Sequence, residues 1–570
     1  MAQLARSYFV LSSNDSAQWK VDVSRTRLEE DPPIEAPIFP GLTAAAYHVA
    51  GGEHLWIPRL FSTLFWLVGA AFLYLLAVRF VRPWAAAIAV AVYLFFPFPL
   101  VASTSFQPDP LMVCVLVVAL LALVRHHEEP TRKRFLVAAA VSALAVFIKP
   151  GMAAFFLFAA FAGLAFLRQG FRRPWRAPSS YVFASLVLLP VIAFYIYSAL
   201  TEQFVQQRIE LSVNPTILRD GFFWRDWLTM IEDVLRPPLL GDMSALLVLL
   251  IALSGVLLAR ARTERTLLIA LWAGYAIFGL VITNYVSTHN YYSLPLVPIT
   301  ALSLAVVANA VADRIRPGVP IRWAAPAAAA LVVAVAVLVL VRDPGNVISL
   351  GPDAEANEQR IEIYEDVGAL VGHSSRALVL GGTGLWHHAW VAGRYWPGAG
   401  DLEWEQTYNG LRRIDADERF RTTDERFYPA VGTMRPPPAF FIVADPIELA
   451  RQLDLTVLLS DFPLLAGGPD YAIFDLTRRA NGETADSGEK LAGTNASRPR
   501  PAFYRFPSGW SRIKRGFMRI DVRRQLGRPN RIEVRQDLRK PVESWFYGPN
   551  DGYAVVFVDG RLFVKASAIS

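Results

Sequence analysis

Residues 59–80 read RLFSTLFWLVGAAFLYLLAVRF, with nineteen residues between Arg59 and Arg79 and no charge among them. At about 1.5 Å of rise per helical residue, that run nearly matches a hydrocarbon core about 30 Å thick. A soluble core helix would carry a polar face at a period of 3.6, and this segment has none. It therefore predicts a membrane span, and the rest of the chain can be measured against it.

The same ruler finds candidate spans at 60–78, 84–102, 110–124, 135–148, 152–167, 181–200, 242–259, 266–283, 294–312 and 323–341, ten in all. Flanking charge tests the count. If the segment before residue 60 lies outside, the gaps expected to be cytoplasmic hold 16 Lys and Arg, against 5 in the expected external gaps (Lys149, Arg208, Arg219, Arg225 and Arg236). That alternation follows the positive-inside rule. It also requires an even number of crossings between Arg134 and Arg168, which supports a break at Lys149-Pro150-Gly151.

Composition agrees, since 54% of the 570 residues are hydrophobic and 18% are charged. Such a balance belongs to a polytopic membrane protein and argues against a soluble enzyme. The net charge of +7 is uneven: from Arg500 onward 15 basic residues face 6 acidic ones, a surplus of +9, which leaves about −2 for the rest. Lipid head groups are the nearer polyanion and no nucleic-acid module is visible, so nucleic acid is not an expected partner. Cys114 is the single cysteine, so neither a disulfide nor a cysteine metal site is expected.

No basic and then apolar leader opens the chain. Since its N-terminal segment is placed outside, a first transmembrane helix is expected upstream of Met1. Residues 1–59 then form an extracytoplasmic loop with a short amphipathic helix, and 60–341 form the transmembrane domain.

Past 351 the texture becomes soluble α/β. RALVLGG, AFFIVAD and YAIFDL read as buried strands with PIELARQLD as a helix between, a β-α-β layer over 351–479. Residues 480–500 read as a linker. Residues 501–570 read as a basic α+β unit, with a helix ending at Gly527 and strands turning at PNDG and VDG. Gly516, Val522, Leu526, Gly527, Pro529, Trp545, Tyr547, Phe557, Asp559 and Gly560 give this unit a pattern that resembles the BamE/SmpA lipoprotein fold. The resemblance implies a binding or stabilising module. In the preceding unit His387, His388 and Arg394 crowd one loop, without a third ligand at metal-site spacing.

Carboxylates near a membrane carry a cost unless they meet water, a partner or a substrate. Two lie at expected external turns: Glu35 in PPIEAPIFP and Asp109 in STSFQPDPLM. Glu35 could cap the short helix near Gly41, and Asp109 could cap the third span. Either could instead face a reaction cavity.

The acid-proline loop, the run R..S.LF...G...LY.LA and a later PD.L resemble the GT-C membrane glycosyltransferases. The branch is that of the protein O-mannosyltransferases, the lipid A aminoarabinose transferases and the rhizobial lipopolysaccharide sugar transferases. Glu35, Pro37, Arg59, Ser62, Leu64, Phe65, Gly69, Leu73, Tyr74, Pro108, Asp109 and Leu111 carry it.

The fold this implies is an α-helical polytopic GT-C protein with extracytoplasmic α/β and α+β domains, in the bacterial inner membrane. The activity implied is inverting transfer of a sugar from a polyprenyl-phosphate donor to an envelope glycan, lipid or protein acceptor. Family members carry a catalytic Asp just after the first transmembrane helix, so the main base is expected upstream of Met1. Glu35 then binds acceptor or sugar, or serves as the base itself, and Asp109 shares its cavity. Branches with a lysine in the proline-rich motif set it on phosphate, and this motif has none. Arg59 is expected either at a lipid phosphate or snorkelling to head groups. His289, Asn290, Tyr291 and Tyr292 wall the cavity or form an interfacial aromatic belt. No cofactor is implied, and a divalent cation stays compatible. A non-catalytic envelope scaffold and a transporter are the competing readings. The transporter is the weaker of them, lacking mid-span charges and an inverted repeat.

Overall fold

A computed structural model describes residues 1–30, 33, 35–201, 213–237, 244–315, 367–374, 377–380, 403–404, 437–468, 471–478, 508–548 and 552–567. They divide into two compact units, one of residues 1–9 and 32–349, the other of residues 10–31 and 350–570.

The first unit is helical. It begins with most of α1 (Ala2–Ser12), the following α2 (Gln18–Glu30) belonging to the second unit, and then runs α3 (Ile38–Ala50), α4 (Trp56–Ala77), α5 (Pro83–Phe95), α6 (Pro97–Ala102), α7 (Asp109–Glu128) and α8 (Arg132–Ile148). It continues with α9 (Pro150–Gln169), α10 (Pro178–Leu200), α11 (Gly221–Leu235), α12 (Ser244–Leu258), α13 (Arg262–Val281), α14 (Thr283–Thr288) and α15 (Leu296–Ile315). Among the described residues six helices, α4, α7, α9, α10, α13 and α15, are long and apolar enough to cross a membrane, while α5 and α12 are apolar but shorter.

The span expected at 84–102 is divided. Pro97 cannot donate a backbone hydrogen bond and pushes Phe96 into extended backbone (φ −66°, ψ 141°), so α5 stops and α6 restarts. The expected break at Lys149-Pro150-Gly151 lies between α8 and α9, with Pro150 in the first turn of α9. The candidate span at 323–341 lies outside the described residues.

Helix packing explains much of the sequence pattern around α4. Ser62 is fully buried and its hydroxyl donates to the Ser105 carbonyl at 2.6 Å. A Cβ at Gly69 would stand 2.6 Å from the Tyr93 hydroxyl of α5 and 3.3 Å from the Cys114 Cα of α7, so a larger residue there must displace the buried Tyr93 ring and ease α4 from α7 by a few tenths of an ångström. Leu73 is buried in the same seam, whereas Leu64 is exposed on the opposite side, where lipid would meet it.

The second unit holds two sheets. The first has strand order β2-β1-β3-β5-β4, built from β1 (Ala377–Leu380), β2 (Glu403–Trp404), β3 (Phe440–Val443), β4 (Leu464–Gly467) and β5 (Ala472–Asp475). β1 pairs in parallel with β2 and β3, and β5 antiparallel with β3 and β4. The helices α16 (Pro446–Arg451) and α17 (Leu453–Leu459) join β3 to β4. Asp445 caps α16 through the Glu448 amide at 3.0 Å.

The second sheet is an antiparallel meander of β6 (Arg531–Arg535), β7 (Val542–Tyr547), β8 (Tyr553–Val558) and β9 (Arg561–Ser567), preceded by α18 (Arg519–Leu526). As the sequence predicts, α18 stops at Gly527 (φ 80°), and Asp559-Gly560, both at positive φ (51° and 74°), turn β8 into β9.

The sequence reads 351–479 and 501–570 as separate modules, but their described parts share one buried cluster. Phe441, Leu449, Leu458 and Phe474 from the first sheet and its helices join Phe546, Val556 and Ala566 from the second. Ser544 donates across the seam to the Ala450 carbonyl at 2.7 Å. The stretch of residues 10–31, placed by sequence in the first loop, belongs to this unit, and Trp19 stacks on His373 at 3.7 Å. The linker at 480–500 lies outside the described residues, as do His387, His388 and Arg394.

Candidate active site

Asp109 opens α7 directly after Pro108 and makes no side-chain bond to its own helix N-terminus. Its carboxylate instead holds Lys149, the residue just before α9, with Nζ at 2.9 Å from Oδ1 and 3.1 Å from Oδ2. Both side chains are sealed, at 2% and 6% exposure. The pair spans 40 residues of sequence and pins the starts of α7 and α9 to one end of the bundle. Capping, one of two roles open to Asp109 from sequence, is therefore not what it does.

Two aromatic rings also stand beside the ammonium. Lys149 Nζ lies 5.0 Å from the Tyr291 ring centroid and 4.8 Å from that of Tyr292, within cation–π range. Both tyrosines come from a 3-10 turn, Asn290–Ser293, that precedes α15.

Glu35 is half-buried in the loop before α3, and α3 starts at Ile38 without a side-chain cap. Its charge reaches Lys149, Tyr195, Tyr291 and Tyr292. Glu35, Asp109, Lys149 and the two tyrosines thus form one electrostatic group.

Burial acts to lower the pKa of Lys149, but Asp109, then Glu35 and the tyrosines, act to raise it, and it ends above the ordinary lysine value. Burial pushes the Tyr291 hydroxyl up to about 12 although Lys149 pulls it down, and Tyr292 is raised for the same first reason. At neutral pH the group holds one fixed cation and two neutral phenol donors.

The other sequence candidates stand around this group. His289 packs edge-on against Tyr291 (5.4 Å) and Tyr292 (6.0 Å), and its Nδ1 is 2.7 Å from the Thr288 hydroxyl, so it backs the tyrosine wall. Asn290 donates to Asp233 of α11 at 3.4 Å, tying the turn to that helix. Trp227 of α11 donates to the Tyr275 hydroxyl at 3.1 Å, and that hydroxyl sits 2.8 Å from Ser293 Oγ. Arg59 is exposed, one turn before Ser62 and the Ser105 carbonyl. It is at the same end of the bundle but outside the buried group.

Sequence reading counted Lys149 only as an external charge. The signal was nonetheless present: it is the single lysine in the expected external gaps between spans, enclosed in AVFIKPGMAAF, where an unpaired charge would be costly.

Residues 33–197 match the family model described as dolichyl-phosphate-mannose-protein mannosyltransferase. The GT-C resemblance holds. Glu35, Asp109 and Lys149 all fall within the matched segment, while Tyr291 and Tyr292 lie beyond it. No curated protein matches the chain.

Among solved structures, ArnT from Cupriavidus metallidurans bound to undecaprenyl phosphate is 15% identical, with a TM-score of 0.48 over 83% of this chain and 92% of that one. Its apo form gives a TM-score of 0.47 over the same shares, again at 15% identity. An oligosaccharyltransferase from Archaeoglobus fulgidus, in complex with zinc and sulfate, is 12% identical, with a TM-score of 0.43 over 80% of this chain and 65% of that one.

Proposed function

We propose that this membrane glycosyltransferase moves a sugar from a polyprenyl-phosphate donor to an envelope glycan, lipid or protein acceptor, and that Lys149 receives the donor phosphate. The observation that carries the proposal is the buried Asp109–Lys149 pair walled by Tyr291 and Tyr292. A protein that only scaffolds has no reason to keep a desolvated ammonium next to two phenol donors, since such a pair gives little net stability.

In the proposed reaction an acceptor hydroxyl oxygen attacks the anomeric carbon from the side opposite the phosphate. The new C–O bond forms as the bond to the phosphate oxygen breaks. The hydroxyl proton passes to a carboxylate, and the bonding pair leaves on polyprenyl phosphate. Lys149 stabilises the charge growing on that leaving oxygen, with the tyrosine hydroxyls donating beside it. Glu35 supplies the carboxylate. Asp109, with both oxygens engaged by Lys149, is a positioning residue that fixes the ammonium and keeps it charged. Arg59, exposed at the same end, adds a second cation for the phosphate.

Release of polyprenyl phosphate from a polyprenyl-phosphate sugar by the reconstituted full chain tests this. Lys149→Met is expected to lower turnover about 100- to 1,000-fold and Glu35→Gln about 100-fold or more. Arg173→Gln, in the turn that follows α9, is expected to leave it unchanged. Undiminished release by a folded Lys149→Met protein would sink the reading.

A further inference from the structure

We infer that the arginine-rich end of the helical unit carries a second binding site, a recess that takes the phosphate head group of an anionic phospholipid. It lies between the ends of α7 and α9 and the starts of α8 and α10. His126 is 17 residues along α7 from Asp109, about 25 Å at the helical rise, so this recess is separate from the reaction site.

The recess encloses about 400 Å³, including space open to solvent. Its polar lining is His126, His127, Arg168, Gln169, Ser179 and Ser180. Beneath these, Leu123, Phe135, Phe161 and Leu164 make an apolar floor. No Asp or Glu lines it.

The two histidines are in different states. The His127 ring bonds the Leu164 backbone and stands 3.4 Å from the Thr263 hydroxyl, so it is occupied structurally. His126 packs edge-on to Phe135 at 5.5 Å, and its Nδ1 is buried without a hydrogen-bond partner. A buried ring nitrogen left unsatisfied in a recess is a standing cost that a bound polar group removes. The nearby acids are engaged elsewhere, Glu128 with Arg79 at 3.1 Å and Glu129 with Arg134 at 2.8 Å, and Arg168 has no carboxylate at ion-pair distance among the described residues.

An arginine, an orphaned ring nitrogen, two hydroxyls and an amide around one opening suit a phosphate. The apolar floor and the surrounding Arg172, Arg173 and Arg176 favour a phosphate that brings acyl chains and sits at an anionic bilayer surface.

Native mass spectrometry of the purified full chain, titrated with phosphatidylglycerol or phosphatidylcholine, tests the site. The wild type is expected to retain one phosphatidylglycerol in preference to phosphatidylcholine. Arg168→Gln should weaken that retention about fivefold, the effect of one basic residue toward an anionic lipid, with Arg168→Lys restoring part of it. His126→Gln, checked for folding by its melting curve, should weaken it as well. Arg173→Gln, outside the recess, should change it less than Arg168→Gln. Equal losses in Arg168→Gln and Arg173→Gln would reduce the effect to diffuse surface charge and overturn the site. Equal retention of the two lipids, or displacement of phosphatidylglycerol by millimolar inorganic phosphate, would overturn the lipid assignment.

Discussion

The two ends of α7 and α9 solve opposite problems with similar residues. At their starts, one lysine and one aspartate are sealed at 6% and 2% exposure and locked together. At the other end the pairs stand in the open. Glu128, the last residue of α7, bridges Arg79 at 3.1 Å with 35% and 37% of the two side chains exposed, and Glu129 holds Arg134 at 2.8 Å with 68% and 35% exposed. A solvated pair contributes about 0–1 kcal/mol, whereas breaking a buried pair costs about 3–5 kcal/mol because a charge is left stranded. Exposed arginines can therefore orient a membrane protein at little cost, while either member of the sealed pair is costly to remove alone.

The largest expected effect separates stability from chemistry at the sealed end. Lys149→Met strands Asp109 and should lower stability by about 3–5 kcal/mol in detergent melting, besides removing transfer. Adding Asp109→Asn should return most of the stability and none of the transfer. Recovery of both would mean that the pair is purely structural.

Next is the support behind the tyrosine wall. A Cβ at Gly279 would lie 2.0 Å from the Trp227 ring, so Gly279→Ala must push α11 outward and cost about 1–3 kcal/mol. Because Asp233 of α11 holds Asn290 beside Tyr291, the shift should also raise the KM for donor. An unchanged KM would uncouple α11 from the site.

Smaller still, Tyr291→Phe and Tyr292→Phe keep the rings over Lys149 and remove only the hydroxyls. Each should cut transfer several-fold, with the melting point moving by about 1 kcal/mol or less. Glu128→Gln, at the exposed end, should cost at most about 1 kcal/mol and leave transfer intact.

The smallest effect concerns pH. Lys149 has a raised pKa in the folded state, so its stabilisation is fully present below the unfolded value near 10.5 and is lost only as pH climbs through the folded value. Melting and transfer should show no loss assignable to Lys149 or Tyr291 between pH 7 and about pH 10, since Tyr291 titrates near 12. An activity loss in that window that disappears in Tyr291→Phe would contradict the wall as described.

Much of this could be read from residues alone wherever a local rule governs. Apolar runs gave the helices, Pro150 the α8–α9 break, and Asp559-Gly560 the β8–β9 turn. Asp109 stood out because an acid at a membrane turn is costly. Its partner did not, since pairing across 40 residues is a property of helix packing and leaves no local periodicity. The motif residues that carry the resemblance differ in what they touch: Ser62 and Gly69 lie where helices approach closely, and Asp109 holds Lys149. Pairing order was likewise hidden, because each strand of the first sheet is equally apolar whether its neighbour is parallel or antiparallel.

The seam between the two sheets has a consequence for the order in which the protein is made. β7, β8 and β9 supply one wall of a core whose other wall, α16 and α17, is synthesised about a hundred residues earlier. Chains emerge at about 5–20 residues per second, so the earlier wall must wait several seconds, uncovered, for its cover. A nonsense codon near residue 500 would therefore damage more than a tail: it would leave Leu449, Leu458 and Phe474 facing water and hand an otherwise intact α/β sheet to quality-control proteases.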